Sequence, residues 1–333
     1  MFRYLVPPVI ALILYLSVWA TEAFPKEVKC PVCEQLFTVM VILSSNSAAG
    51  VDRDFCEHTW GTQTVVLQIA VCPQCHYSDF TDRLSENPQV SKVVRKTLQA
   101  RQLKIPEFEA LSPNEEGYST SQIPAWVGYD LRAQIVKLDN PDDSQQQLTL
   151  MMSAAWSLRA QDNPFRPVMI ELGYDDAIRQ ILNVIPVPRH ANPSEERIGI
   201  ARVLLAKLSE LNPQDRPAAG AWAGYVLRGH GENSDLLVAA PDLARILADP
   251  RLAREIQATV ERERGYLQRA LDLMPALLAK PDLKERVNMV YLKGELCRRL
   301  GRKNEARASF HEALRCSPPR VIKDWIEDSL KNL

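Results

Sequence analysis

Two Cys-Pro-x-Cys tetrads, Cys30-Pro31-Val32-Cys33 and Cys72-Pro73-Gln74-Cys75, constrain this chain more than any other feature it carries. Four thiols in two close pairs are the donor set of a tetrahedral metal centre. A two-residue spacer turns both sulfurs of a pair toward one ion, and the proline presets the turn. The gap from Glu34 to Val71 is about twice the ~15–20 residues that separate the pairs of a compact ribbon, so an additional segment is inserted between the knuckles.

The N-terminus carries a short positive region, Met1-Phe2-Arg3, followed by an uncharged run from Tyr4 to Ala20. That run has the character of a secretory signal or a short membrane anchor, and small residues around Ala20 and Ala23 offer cleavage sites. With Arg3 held inside, the remaining chain is expected outside the cytoplasm, either released to the periplasm or tethered to the inner membrane by residues 4–20. Formal net charge is −1, from 40 basic and 41 acidic residues. The knuckle region itself, Pro25 to Asn87, holds eight acids against four bases. A surface of that sign repels phosphate, so nucleic acid is excluded as a partner.

Leu36–Ile42 and Thr64–Val71 are rich in β-branched residues and read as strands beside the two knuckles, with a polar loop from Ser44 to Asp54 between them. A small antiparallel sheet clamped at one end buries little apolar surface, and a bound metal would supply the missing free energy. Beyond Asn87 the pattern turns to the helical period. The clearest helices are expected at Ile123–Leu138, Ser144–Ala160, Asp175–Ile185, Ser194–Leu211, Arg251–Leu273, Glu285–Leu300, Lys303–Cys316 and Val321–Leu330. The fold class is therefore mainly α. Residues 1–23 form the signal or anchor, 24–86 a zinc-ribbon-like β head, and 87–333 a helical body. Gly294, Gly301, Ala306, Phe310, Ala313 and Pro318 fall on the spacing of a tetratricopeptide unit of about 34 residues. Ala201, Leu205, Leu208 and Pro213 match half of an earlier unit, and Gly173-Tyr174-Asp175-Asp176-Ala177 is a weaker echo. Val321, Trp325, Ile326 and Leu330 are expected on the inner face of a final capping helix.

The order of these features is specific. Val28-Lys29 leads into the first tetrad and a strand, Asp52-Arg53-Asp54-Phe55 follows, and Val71 leads into the second tetrad with His76-Tyr77 behind it and degenerate helical repeats beyond. This order resembles an uncharacterised bacterial domain-of-unknown-function family over nearly the whole mature chain. The resemblance implies a zinc-ribbon-like head joined to tetratricopeptide-like helices, and it brings no activity with it. The chain departs from the family pattern in its export segment and in His76, which stands where the family usually has glycine.

For Cys30, Cys33, Cys72 and Cys75 the reading taken is zinc, since strands rather than a helix border both pairs and the resemblance agrees. Two alternatives stay open. An exported chain meets oxidising surroundings, which favour disulfides within the pairs and no cofactor. Cys72-Pro73-Gln74-Cys75-His76 also satisfies the pattern for covalent haem c attachment. Cys56, His58 and His76 are auxiliary ligand candidates. Cys297 and Cys316 read as small packing residues within helices.

The chain carries no glycine-rich phosphate loop, H-E-x-x-H or G-x-S-x-G motif. It is therefore expected to be a non-enzymatic scaffold or adaptor that binds a protein or peptide through its helices. The different-class alternative is a thiol–disulfide or cytochrome-assembly protein that uses the tetrads. Phasing the last repeat from Gly294 places Asn288, Tyr291, Glu295, Arg298 and Arg299 on an open, concave partner-binding face. Lys284 to Leu333 holds twelve bases against seven acids, so an acidic segment is the partner chemistry expected there.

Overall fold

The computed structural model describes residues 21–45, 50–51, 53–58, 63–108, 110, 122–161, 250–280 and 285–333. Chain order is β1 (Glu22–Lys29), β2 (Leu36–Ser44), β3 (Gly50–Val51), β4 (Glu57–His58), α1 (Thr64–Leu67), β5 (Ile69–Val71), β6 (Ser78–Phe80), α2 (Thr81–Ser85), α3 (Lys92–Gln99), α4 (Ala125–Asp139), α5 (Ser144–Gln161), α6 (Pro250–Leu278), α7 (Arg286–Arg299), α8 (Lys303–Arg315) and α9 (Arg320–Asn332). The protein is mainly α, with small two-stranded sheets near the N-terminus and a helical C-terminal region. The chain divides into two units. One comprises the residues through Val51 together with Glu57–Arg132, and the other comprises Asp52–Cys56 together with Ala133–Leu333. The first unit thus runs well past the boundary at residue 86 that composition suggests.

In the first unit the strands pair as three separate antiparallel ribbons rather than one sheet. β1 and β2 run from Ala23 opposite Ile42 to Lys29 opposite Leu36, and β5 and β6 pair Ile69 with Phe80 and Val71 with Ser78. The expected strand Thr64–Val71 is strand only in its last three residues. Its beginning closes into the turn α1, where the Gln68 amide donates to the Thr64 carbonyl and Val65 and Leu67 are buried. Here tertiary burial overrides β propensity. The Tyr129 hydroxyl donates to the Val65 carbonyl at 2.7 Å, giving that turn a partner in α4.

Gly128 brings α4 against β5. A Cβ at that position would lie 3.1 Å from Ile69 and 3.2 Å from Val71, and the Ser78 hydroxyl donates to the Gly128 carbonyl at 2.7 Å. Beneath them Asp79 is fully buried. It accepts from the Tyr77 hydroxyl at 2.8 Å and pairs with the Arg132 guanidinium at 3.3 Å. A buried carboxylate needs such partners to stay charged. α3 starts at Ser91, whose side chain caps the Val94 amide, and it buries Val94 and Leu98 one turn apart.

In the second unit Asp143 caps α5 by accepting from the Gln146 amide at 3.0 Å. α5 packs along α6, α6 along α7, and α7 against α8. In the last pair Gly294 is the point of closest approach. A Cβ there would lie 2.6 Å from the Phe310 ring, so only glycine admits Phe310 into the seam. α7 ends at Gly301 (φ 78°), with Gly301 N donating to Arg298 O and Arg302 N to Cys297 O. This is the hydrogen-bond pair of a Schellman cap, for which glycine is the unstrained residue. α9 buries Ile322, Ile326 and Ser329, while Val321 is 58% exposed. The buried stripe thus follows the i, i+4, i+7 spacing from Ile322 rather than from Val321. The expected helices Asp175–Ile185 and Ser194–Leu211, both earlier repeat echoes, and the anchor at residues 4–20 lie outside the described residues. Among the described residues no helix is long and apolar enough to cross a membrane.

Candidate metal centre

The two tetrads fold as the same object twice. In each, the first cysteine amide closes the hairpin, Cys30 N to Gln35 O and Cys72 N to Tyr77 O, both at 2.8 Å. The residue after the second cysteine then turns back onto the first, Glu34 N to Cys30 O and His76 N to Cys72 O, both at 3.0 Å. Those two residues take left-handed backbone angles, φ 65° at Glu34 and 60° at His76. The turn needs that angle to bring both sulfurs of a pair to one side. Arg95 of α3 braces the first knuckle by donating to the Val32 carbonyl at 3.1 Å.

The four sulfurs of Cys30, Cys33, Cys72 and Cys75 all lie within 4.8 Å of one another. Two sulfur contacts, Cys30 to Cys75 and Cys33 to Cys72, run between the pairs at 3.5 Å. A disulfide has sulfurs ~2.05 Å apart, and none of the four is bonded. Four thiolates around one ion with metal–sulfur bonds of ~2.3 Å stand ~3.8 Å apart, so the cluster has the dimensions to hold a metal ion with only small adjustment. Cys30 and Cys72 are buried, and Cys33 and Cys75 are partly open.

Electrostatically the cluster is short of positive charge. Hydrogen bonds from Cys72 and Cys75 pull the Cys30 thiol down to about 2. The same contact with Cys30 pushes Cys72 up to about 12 and drives Cys75 higher still. One thiolate is stabilised at the expense of the others. A divalent cation reverses this, since coordination deprotonates thiols that would otherwise repel one another as anions.

Among the described residues the cluster consists of these four cysteines. Of the auxiliary candidates, Cys56 and His76 do not join it. Cys56 is buried in the second unit, and His76 is half-buried, with burial and Arg101 holding its imidazole below its ordinary value. His58 lies on β4, and its side chain is outside the described residues. Cys297 is fully buried on α7, and burial pushes its thiol up, in keeping with a packing role. Cys316 is exposed after α8 rather than packed.

The face expected to be open on α7 is not open. Tyr291 and Glu295 are fully buried, Arg299 is 5% exposed, and Asn288 is half-buried with its side-chain oxygen shielded. The second unit's own Arg53–Phe55 segment lies against these helices. Arg53 donates to the Ser329 hydroxyl at 2.9 Å and pairs with Asp328, Asp54 faces Arg299 at 3.6 Å, and Phe55 packs on Tyr291 at 5.5 Å and Trp325 at 6.3 Å between ring centroids. Arg299 is further held by Glu295 at 2.9 Å and faces Glu263 of α6 at 3.8 Å, while Arg298 grips Glu295 at 2.7 Å. Burial raises the Glu295 carboxyl, and Arg298 and Arg299 more than offset it, leaving it below its ordinary value. Helix phasing marks which residues share a face, but nothing local marks what covers it. The one signal in the sequence is the density of charged and aromatic side chains in Asp52-Arg53-Asp54-Phe55, too polar for a strand and unusual for a loop.

Residues 23–183 match the model of the family described as an uncharacterised protein conserved in bacteria, DUF2225. Over that region, just under half of its length, the chain is similar to this uncharacterised bacterial family, and the four clustered cysteines are consistent with a zinc-ribbon-like head. No curated protein and no solved structure matches the chain.

Proposed function

We propose that this chain is a non-enzymatic adaptor in which one structural zinc ion, held by Cys30, Cys33, Cys72 and Cys75, secures the N-terminal unit, and the helical unit binds a protein or peptide. The observation that carries the zinc reading is the convergence of two equivalent knuckles on one point, with sulfur contacts of 3.5 Å between the pairs. A dithiol working in disulfide exchange needs an accessible, activated thiol, commonly at a helix N-terminus. Here the lowered thiol, Cys30, is buried, and β2 and β6 follow the tetrads. Zinc in such a closed four-sulfur set supplies folding free energy and presents no open coordination position. The uncharged Tyr4–Ala20 run supports an exported or inner-membrane-tethered protein.

Native protein, purified from its own compartment, is to be measured for zinc, free thiols and visible absorption together. One zinc per chain and no Soret band is the expected result. Bridged Cys30–Cys33 and Cys72–Cys75 without metal would replace the zinc reading by the disulfide one, and an extraction-resistant Soret band would establish haem at Cys72 and Cys75. A periplasm-dependent reporter fused after residue 25 tests export and is expected to be active.

A further inference from the structure

In the second unit a short segment, Arg53–Cys56, is seated among helices that lie far from it in sequence. Three of its side chains each meet a matched group. Arg53 meets Asp328 and Ser329 of α9, Asp54 meets Arg299 of α7, and Phe55 meets the rings of Tyr291 and Trp325. A cation, an anion and an aromatic ring are thus read one after another by groups of opposite or like kind. This is how helical surfaces recognise short peptides.

The fit is incomplete in three places. The Arg299–Asp54 approach of 3.6 Å is longer than the ~2.7–2.9 Å of a charge-assisted hydrogen bond, and both terminal nitrogens of Arg299 are buried without a hydrogen-bond partner. The Tyr291 hydroxyl, also buried, has none either, and burial holds it well above its ordinary value. Phe55 itself is held at φ 66°, a backbone region strained for an aromatic residue. An occupant that strains its own backbone and leaves buried donors unused is one that a better ligand can displace.

We propose that the cradle formed by α6, α7 and α9 is a recognition site for a short basic–acidic–aromatic segment, and that Arg53-Asp54-Phe55 is an exchangeable internal ligand which a partner protein presenting the same triplet displaces. The inference rests on the helical unit being the partner-binding body, and it names the partner's chemistry. It also reassigns the expected preference for an acidic segment, since Arg299 takes the central carboxylate while α9 takes the cation.

The test uses the full chain with Arg53, Asp54 and Phe55 all replaced by glycine, beside the unaltered chain. The probe is a fluorescent peptide of the sequence Gly50 to His58 with serine in place of Cys56. The altered chain is expected to keep cooperative unfolding and to bind the probe at least ten-fold more tightly than the unaltered chain. A probe in which the central aspartate is asparagine is expected to bind at least ten-fold more weakly. A folded altered chain that ignores the probe overturns the proposal, as does equal binding by both chains or by both probes. Loss of cooperative unfolding in the altered chain also overturns it, because the segment is then core rather than ligand. Zinc content and export are read separately, so any of these failures removes the internal-ligand inference and leaves the adaptor reading to its own measurements.

Discussion

Glu34 and His76 occupy the same position in two equivalent knuckles, each at left-handed backbone angles and each donating its amide to the first cysteine carbonyl of its own tetrad at 3.0 Å. That geometry is costly for a residue with a Cβ, by roughly 1–2 kcal/mol, and glycine avoids the penalty while losing more entropy on folding. His76→Gly is expected to raise the stability of the first unit by about 0.5–1 kcal/mol, measured as a higher midpoint of chemical unfolding with metal bound. Glu34→Gly is expected to act in the same direction. A fall in stability for both would show that the side chains contribute more than the turn costs them.

Removing any one of the four thiolates should remove the metal. Cys72→Ser is expected to abolish stoichiometric zinc binding and to unfold the first unit. Apparent folding free energies coupled to structural zinc reach ~10–16 kcal/mol in small modules, far more than three two-stranded ribbons can replace. Most far-ultraviolet helix signal, which arises from α5 to α9, is expected to persist in the variant and after chelation. Retention of one zinc per chain by the serine variant would place the metal elsewhere.

Gly294 and Phe310 are coupled through contact. Gly294→Ala forces its Cβ into the ring and is expected to cost about 1–3 kcal/mol by overpacking, and Phe310→Ala about 3–5 kcal/mol by cavity formation. The double variant should be less destabilised than the sum, since alanine at 294 then points into the vacated space. Additive single effects in urea denaturation would place Phe310 outside the seam.

Acid should weaken the second unit through Glu295. Its folded carboxyl titrates below the ordinary 4.5, so the unfolded chain takes up the proton first as pH falls. The stability contributed by its pairing with Arg298 and Arg299 is therefore fully present above about pH 4.5 and is lost as pH falls through the folded value. Glu295→Gln is expected to be less stable at pH 7 and to show a flatter decline between pH 5 and pH 3, followed by urea midpoints across that range. Parallel profiles for the two proteins would remove Glu295 from the acid response.

Much of the architecture was legible in the chain itself. Two Cys-Pro-x-Cys tetrads are the donor set of one four-sulfur cluster, and that reading was available from spacing alone, beside the disulfide and haem alternatives. The helical period, the caps and the proline breaks place α5, α7, α8 and α9 within a few residues of their structural ends, because those signals act within one or two turns of the backbone. Gly294 and Phe310 likewise announce a close helix pair. Other features depended on partners remote in sequence. Thr64–Leu67 has the composition of a strand and forms a turn because burial of Val65 and Leu67 and the Tyr129 hydroxyl stabilise it there. β1 escaped notice because its first residues overlap the expected end of the N-terminal uncharged segment's cleavage region.

The face of α7 shows the same division most clearly. Periodicity grouped Tyr291, Glu295, Arg298 and Arg299 correctly, and charge marked them as carboxylate-binding. Whether water, a partner or the chain's own Asp54 meets Arg299 is not encoded in the helix. It is decided by which distant segment can bring a carboxylate and an aromatic ring to that surface together, and only the tertiary structure reveals that Asp54-Phe55 does so.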